Sequence, residues 1–138
     1  MLSIIEVFFI LFIHWFADFL YQDVRWATEK SRDLSALLKH TCVYSAIWLV
    51  SIWPWLGLYA SLTFCMVTFF SHTATDYLTS KAVSRKFARG ELGSPIPNTG
   101  AFTLIGADQL LHYAQLFVTY LALRPERAEQ SFAMFAIF

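Results

Sequence analysis

Charged side chains are scarce in this sequence. Asp, Glu, Lys and Arg make up 14% of its 138 residues, against roughly 25% in an average soluble protein, whereas hydrophobic residues make up 57%. So few charges cannot cover the surface of a small soluble domain. The ten acidic and ten basic residues also cancel, so no electrostatic argument favours a nucleic-acid partner.

Cysteine is nearly absent as well. Cys42 and Cys65 lie in apolar stretches and form no Cys-x-x-Cys pair, which argues against both a disulfide framework and a thiolate-rich metal site. We interpret both residues as small buried hydrophobic side chains.

The apolar residues form four long stretches. These cover about residues 2–21, 37–53, 56–79 and 100–123, each close to the roughly 20 residues that a helix needs to cross a bilayer. Aromatic residues, at 18%, fit this interpretation because Trp and Tyr are enriched at membrane interfaces. We predict one all-α, polytopic membrane domain over 1–125, a bundle of four transmembrane helices surrounded by lipid. A short interfacial tail would follow over 126–138.

The segments between these stretches predict the topology. Pro54 and Gly57 separate the second stretch from the third, because Pro ends a helix and Gly suits a tight turn. Segments 22–39 and 81–99 hold eight of the ten Lys and Arg residues and are predicted as exposed loops, each with room for a short helix. By the positive-inside rule both are cytoplasmic, which places both termini outside.

Histidine and aspartate are spaced four residues apart at three places in the apolar stretches. On a helix this spacing puts both side chains on one face. Alternating span directions then bring these pairs and the fourth histidine into the cytoplasmic half of the membrane. The residues are His14 and Asp18, His40, His72 and Asp76, and Asp108 and His112.

Ionisable groups inside a membrane are costly, at least about 2.5–3.5 kcal/mol each, and are usually functional. Imidazole and carboxylate together suit zinc, manganese or iron. We therefore predict that all seven residues are ligands of one or two divalent metals. Metal-bound water would be the nucleophile in hydrolysis, and whichever of Asp18, Asp76 and Asp108 is not a ligand would be the base. A site at this depth favours a lipid or phosphoester-type amphiphile as substrate.

Other polar residues lie near the predicted site. Gln22, Tyr44, Tyr77 and Gln109 are candidates for hydrogen bonds to the ligands. Lys30, Lys39 and Lys81 could contact an anionic headgroup, although anchoring at the cytoplasmic interface is the favoured explanation for lysines there.

Three alternatives stay open at this point. The polar residues could form an ion or proton pathway, or bind metal without catalysis. They could also only hold the helices of a structural or host-membrane-modifying protein together. Four short spans bury little surface, so a homo-oligomer is expected in any of these cases.

Several short motifs carry a resemblance over residues 10–115. They are His14-x-x-Ala17-Asp18-Phe19-x-x-Gln22, Lys30, His40-x-x-x-Tyr44, His72-x-x-x-Asp76-Tyr77 and Asp108-Gln109-x-x-His112. The chain resembles a domain-of-unknown-function family of small multi-pass membrane proteins from bacteria and phages, which implies the bacterial inner membrane but no particular activity. More distantly it is similar to membrane-bound metal-dependent hydrolases, and this similarity implies metal-dependent hydrolysis.

Overall fold

The computed structural model describes residues 2–92 and 100–124, and within them every regular element is helical, as predicted. The predicted tail over 126–138 lies outside the described residues. The elements are α1 (Ile4–Trp15), a π-helical turn (Phe16–Leu20), α2 (Val24–Glu29), α3 (Leu34–Ala88) and α4 (Ala101–Leu123).

The first helix has a defined start and an irregular end. Ser3 caps α1 in a reciprocal capping box with Glu6, so two backbone N–H groups at the helix start are satisfied. At the other end the helix widens into the π turn, where the Tyr21 N–H donates to the Phe16 carbonyl at 2.8 Å. Single π turns are frequent at functional sites, and this one carries Asp18.

Helix α3 is bent back on itself at Gly57. This residue has φ +74° and ψ 170°, a backbone conformation that is essentially restricted to glycine. Pro54 lies inside the helix and does not end it, so that part of the prediction was wrong. Proline removes one hydrogen bond near the end of the arm, whereas reversing the chain needs the positive φ that only Gly57 supplies.

The two arms of α3, residues 34–56 and 58–88, pack against each other as a hairpin. Trp48 packs on Phe64 with ring centroids 5.3 Å apart, and the Thr73 hydroxyl donates to that of Thr41 at 3.0 Å. The second arm continues to Ala88, so the short helix predicted as an option at the start of this loop is the end of α3 and not a separate element. No helix-breaking residue occurs there before Gly90, which has φ +70°.

Over much of the described chain, polar side chains are buried and large apolar side chains are exposed. Large apolar side chains on the outer faces of the long helices are between 62% and 71% exposed: Phe8, Val50, Phe70, Leu110 and Val118. Cys42 is exposed among them and Cys65 is half-buried, so the prediction that both are buried was wrong. The helix turns Cys42 away from the interior face that carries His40.

By length and composition, one helix in the described part of the chain could cross a membrane, namely α3. The π turn interrupts α1, and α4 is long enough but carries Asp108, Gln109, His112 and Gln115. The bundle of four spans therefore stays a prediction.

Candidate metal centre

The structure brings all seven predicted ligand residues together at the end of the bundle near α2. Five elements contribute to this cluster: α1, the π turn, the two arms of α3, and α4. All of the side chains are buried except that of Asp108, which is partly buried. Hereafter these seven residues are called the His/Asp cluster: His14, Asp18, His40, His72, Asp76, Asp108 and His112.

One part of the His/Asp cluster contains two imidazole nitrogens and one carboxylate oxygen. His40 Nε2 lies 3.0 Å from His72 Nε2 and 3.2 Å from Asp18 Oδ1, and the third distance, from His72 Nε2 to Asp18 Oδ1, is 3.7 Å. Ligand atoms in a tetrahedral zinc site with bonds of about 2.0–2.1 Å are about 3.3–3.4 Å apart. The three atoms therefore have the spacing of neighbouring ligands of one metal ion.

A second part of the cluster surrounds His112. Its Nε2 lies 3.3 Å from Asp76 Oδ1 and 3.5 Å from Asp108 Oδ1. The pair at Asp108 and His112 is within one turn of α4, whereas Asp76 comes from the second arm of α3. Each of these two distances is that of neighbouring ligands of one metal ion.

Several of these buried atoms have no hydrogen-bond partner within the described residues. They include Asp18 Oδ1, Asp76 Oδ1 and His112 Nε2. A buried polar atom without a partner costs on the order of 1–3 kcal/mol, so such atoms are normally satisfied. Cations bound at these atoms would replace the missing hydrogen bonds, and the buried His and Asp groups could therefore hold a metal ion.

His14 differs from the other three histidines because both of its ring nitrogens are engaged. Nδ1 lies 2.7 Å from the Tyr44 hydroxyl, and Nε2 lies 2.7 Å from the Gln109 amide oxygen. Because that oxygen can only accept, Nε2 carries the proton and Nδ1 accepts from Tyr44. The structure thus places His14 beside the possible metal ligands, where it connects α1 to α3 and α4.

The side-chain amide of Gln109 connects the carboxylates of Asp18 and Asp108. Its amide nitrogen donates to Asp18 Oδ2 at 3.3 Å and to Asp108 Oδ2 at 3.1 Å. The other oxygen of Asp108 lies 2.6 Å from the Thr79 hydroxyl. These contacts orient the carboxylates, and in the case of Asp18 they leave Oδ1 facing His40 and His72.

Lys30 is the basic residue that reaches the cluster. Its Nζ lies 2.7 Å from Asp76 Oδ2, and its position at the end of α2 brings it over the cluster. Lys39 is exposed on the outer face of α3, and Lys81 lies 3.7 Å from the centroid of the Tyr77 ring. Of the three lysines predicted to contact an anion, the structure places only Lys30 at the cluster.

A cavity of about 350 Å³ lies between the π turn, α2, the second arm of α3 and the start of α4. Asp18, Asp76 and Asp108 all line it, as do Lys30 and Gln109, whereas no histidine of the described residues does. A small molecule in this cavity would therefore approach the cluster from the carboxylate side.

The remaining predicted residues differ in their positions. Tyr44 and Gln109 contact the cluster directly through His14, as described above. Gln22 lines the cavity, where its buried amide nitrogen has no partner within the described residues. Tyr77 lies on the outer surface, 42% exposed, away from the cluster.

A second polar contact, not predicted from the sequence, lies at the opposite end of α1. The buried Glu6 carboxylate accepts from the Tyr120 hydroxyl at 2.7 Å and lies 3.2 Å from Arg124 Nη2. The Ser3-x-x-Glu6 capping pattern was a signal for Glu6, but nothing local connects it to a residue 114 positions away. Thr79 was also missed, although it lies one turn after Asp76 on the same face.

Comparison with known proteins identifies the family. The family model described as "Protein of unknown function (DUF3307)" matches residues 7–136, nearly the whole chain. The protein belongs to this family. A search of curated proteins and a search of solved structures each gave no match. The predicted membership of a family of unknown function is confirmed, and the DUF3307 match contains the whole His/Asp cluster.

Proposed function

We propose that this DUF3307 protein is an inner-membrane protein of four spans, with the His/Asp cluster near its cytoplasmic face. The exposed apolar side chains of α1, both arms of α3, and α4 support this, because a soluble protein would expose them to water at considerable cost. Buried ionisable residues facing the bundle interior are typical of membrane proteins. The basic residues around α2 and the end of α3 support the cytoplasmic assignment.

Single cysteines test this topology. With Cys42 and Cys65 replaced by Ser, Tyr59→Cys and Arg85→Cys place exposed thiols near opposite ends of the second arm of α3. A membrane-impermeant maleimide should label Tyr59→Cys in intact bacteria and Arg85→Cys only after lysis. Labelling of both in intact cells would contradict the spanning arrangement, and the opposite pattern would invert the orientation.

We further propose that the His/Asp cluster binds divalent metal, with zinc first and manganese or iron as alternatives. The observation that carries this proposal is a set of buried atoms that lack a hydrogen bond and face other ionisable groups of the cluster: Asp18 Oδ1, Asp76 Oδ1 and His112 Nε2. Nitrogen and carboxylate ligands suit these metals. Elemental analysis of the detergent-purified protein beside an Asp76→Ala, Asp108→Ala double variant tests it. Metal absent from both proteins would refute the proposal.

The reaction that best fits this site is hydrolysis of an amphiphile, such as a phosphoester lipid. When bound, the metal would supply a Lewis acid and an activated water. Any of the cavity-lining aspartates that is not a metal ligand would accept the proton of that water, and Lys30 Nζ, which also lines the cavity, would contact an anionic group of the substrate. The lining also has an apolar part suited to an acyl chain: Phe19, Val83, Leu104 and Ile105.

Turnover of fluorescent phospholipids and lipid phosphates by the reconstituted protein tests this reaction. We expect activity that is lost with a chelator and recovered with zinc or manganese. The double variant and Lys39→Ala serve as the inactive and the active control. Stoichiometric metal without turnover of any amphiphile would favour a metal-binding protein that is not an enzyme.

A second candidate is proton or cation movement, which a further polar group inside the bundle favours. The Gln115 amide donates to the hydroxyls of Thr68 and Thr119 at 3.2 and 3.1 Å, deeper in the bundle than His112 and towards Glu6. Such buried polar chains serve as relays in membrane proteins. Metal- or proton-linked flux in proteoliposomes, abolished by Gln115→Leu, would support this function over hydrolysis. A purely structural role predicts neither metal, nor turnover, nor flux.

A further inference from the structure

We propose that the His/Asp cluster holds two cations in chemically unlike positions, with Asp76 between them. This inference rests on the proposed metal binding and specifies how the ligands are divided. It follows from which histidine each oxygen of the Asp18 and Asp76 carboxylates faces, and not from the number of ligands alone.

The first position is rich in nitrogen. It consists of His40 Nε2, His72 Nε2 and Asp18 Oδ1, with distances of 3.0, 3.2 and 3.7 Å between them. Asp18 offers this oxygen because its other oxygen, Oδ2, accepts from Gln109. Two imidazoles and one carboxylate are a set that zinc or iron(II) accepts.

The second position is rich in oxygen. His112 Nε2 lies 3.3 Å from Asp76 Oδ1 and 3.5 Å from Asp108 Oδ1. Both His112 Nε2 and Asp76 Oδ1 are buried without a hydrogen-bond partner among the described residues. One imidazole and two carboxylates suit a harder cation such as manganese(II) better than they suit zinc.

The carboxylate of Asp76 faces both positions. Its Oδ2 lies 3.3 Å from His40 Nε2 and 3.6 Å from His72 Nε2, whereas its Oδ1 faces His112. A carboxylate whose two oxygens face separate ligand sets is the arrangement that bridges two-metal centres. Asp76 can therefore contribute one oxygen to each cation, although Oδ2 also contacts the Lys30 ammonium at 2.7 Å.

Charge predicts unequal affinities for the two positions. Three carboxylates and the ammonium of Lys30, with neutral histidines, leave a formal charge of minus two, which one divalent cation neutralises. A second divalent cation leaves a buried excess of positive charge, and such an excess is unfavourable unless an anion joins it. The second cation should therefore bind more weakly and be held together with an anion, such as a phosphate group, that enters from the carboxylate-lined cavity.

Sequential metal titration of the full chain in detergent tests this division. Chelator-treated protein receives one equivalent of zinc and is then titrated with manganese, followed by electron paramagnetic resonance and by native mass spectrometry. We expect one zinc and one manganese per chain, with inorganic phosphate tightening manganese binding at least tenfold. His40→Ala should lose the zinc and keep the manganese, Asp108→Asn should do the opposite, and Lys39→Ala should bind both.

The outcomes separate this inference from the metal proposal itself. A single ion per wild-type chain, with or without phosphate, overturns the two-position inference while leaving metal binding intact. Equal loss of both ions in His40→Ala and in Asp108→Asn also overturns it, provided that circular dichroism shows folded protein. If either variant fails to fold, the wild-type stoichiometry decides the question. Absence of any bound ion from the wild type would instead refute the metal proposal.

Discussion

Lys30 Nζ and Asp76 Oδ2 lie 2.7 Å apart and join α2 to the second arm of α3 across 46 positions in the sequence. The side chain of Lys30 is 18% exposed, while that of Asp76 is 1% exposed. The ammonium therefore compensates a buried carboxylate from the edge of the cavity. It also occupies an oxygen that faces two of the histidines.

Replacing Lys30 by Met should lower the stability of the metal-free protein and raise its affinity for zinc. Removing one partner of a buried ion pair leaves the other uncompensated, and we expect a loss of about 2–3 kcal/mol in the metal-free protein. The same change removes a positive charge beside the cluster, so zinc should bind at least tenfold more tightly. Thermal unfolding and zinc titration in detergent measure both effects.

The effect of Lys30→Met on stability should be reversible by metal. Zinc at 100 times its Kd stabilises a binding protein by about 2.7 kcal/mol, close to the expected loss. Lys39→Met, at an exposed position on the outer face of α3, is the matched control and should change neither quantity. If zinc does not stabilise the Lys30→Met protein, the ammonium and the metal do not compete.

Tyr44→Phe should weaken the bundle at the position of His14. The change removes the hydroxyl that donates to His14 Nδ1 and leaves that buried nitrogen unsatisfied, at a cost of about 1–3 kcal/mol. Tyr59→Phe is the control: Tyr59 is 87% exposed, so this change should not alter stability. If His14 supports the cluster without ligating, Tyr44→Phe retains its metal, and elemental analysis would show this.

Gly57→Ala and Gly106→Ala should have opposite effects. An added Cβ would contact no atom within 4 Å at either position, so packing does not distinguish them. At Gly57 the positive φ makes alanine strained by about 1–3 kcal/mol, whereas inside α4 alanine gains roughly 0.5–1 kcal/mol over glycine. Thermal unfolding of the two variants compares them. Equal stability of both would contradict the turn geometry.

Glu6→Gln should affect stability without affecting metal. The Glu6 carboxylate accepts from Tyr120 and lies beside Arg124, near the end of α1 that is distant from the cluster. Loss of its charge should cost about 1–3 kcal/mol. Metal content and zinc affinity should stay at wild-type values. A large loss of metal in this variant would show coupling between the two ends of the bundle.

Much of the helical fold could be predicted from the sequence because it follows from local patterns. Long apolar stretches predict helices, and the four-residue spacing of His72 and Asp76 puts both on one face. The turn was predicted in the correct segment, but its position depends on a backbone angle that Gly57 adopts and that Pro54 cannot replace. A helix after residue 80 was predicted only as an option, and its continuity with α3 was not predicted, because exposed charged residues look alike in loops and in helices.

Local patterns in the sequence are enough to predict that this chain is helical, that its charged residues are few, and that histidine and aspartate share helix faces. Which hydrogen bonds the individual atoms of those residues make depends on the tertiary structure. Both ring nitrogens of His14 are engaged by Tyr44 and Gln109, which lie 30 and 95 positions away, whereas Asp18 Oδ1 and His112 Nε2 have no hydrogen-bond partner among the described residues and face other ionisable groups of the cluster. Hydrogen bonds depend on directions and distances of a few tenths of an ångström between separate helices, and no spacing along the chain encodes those.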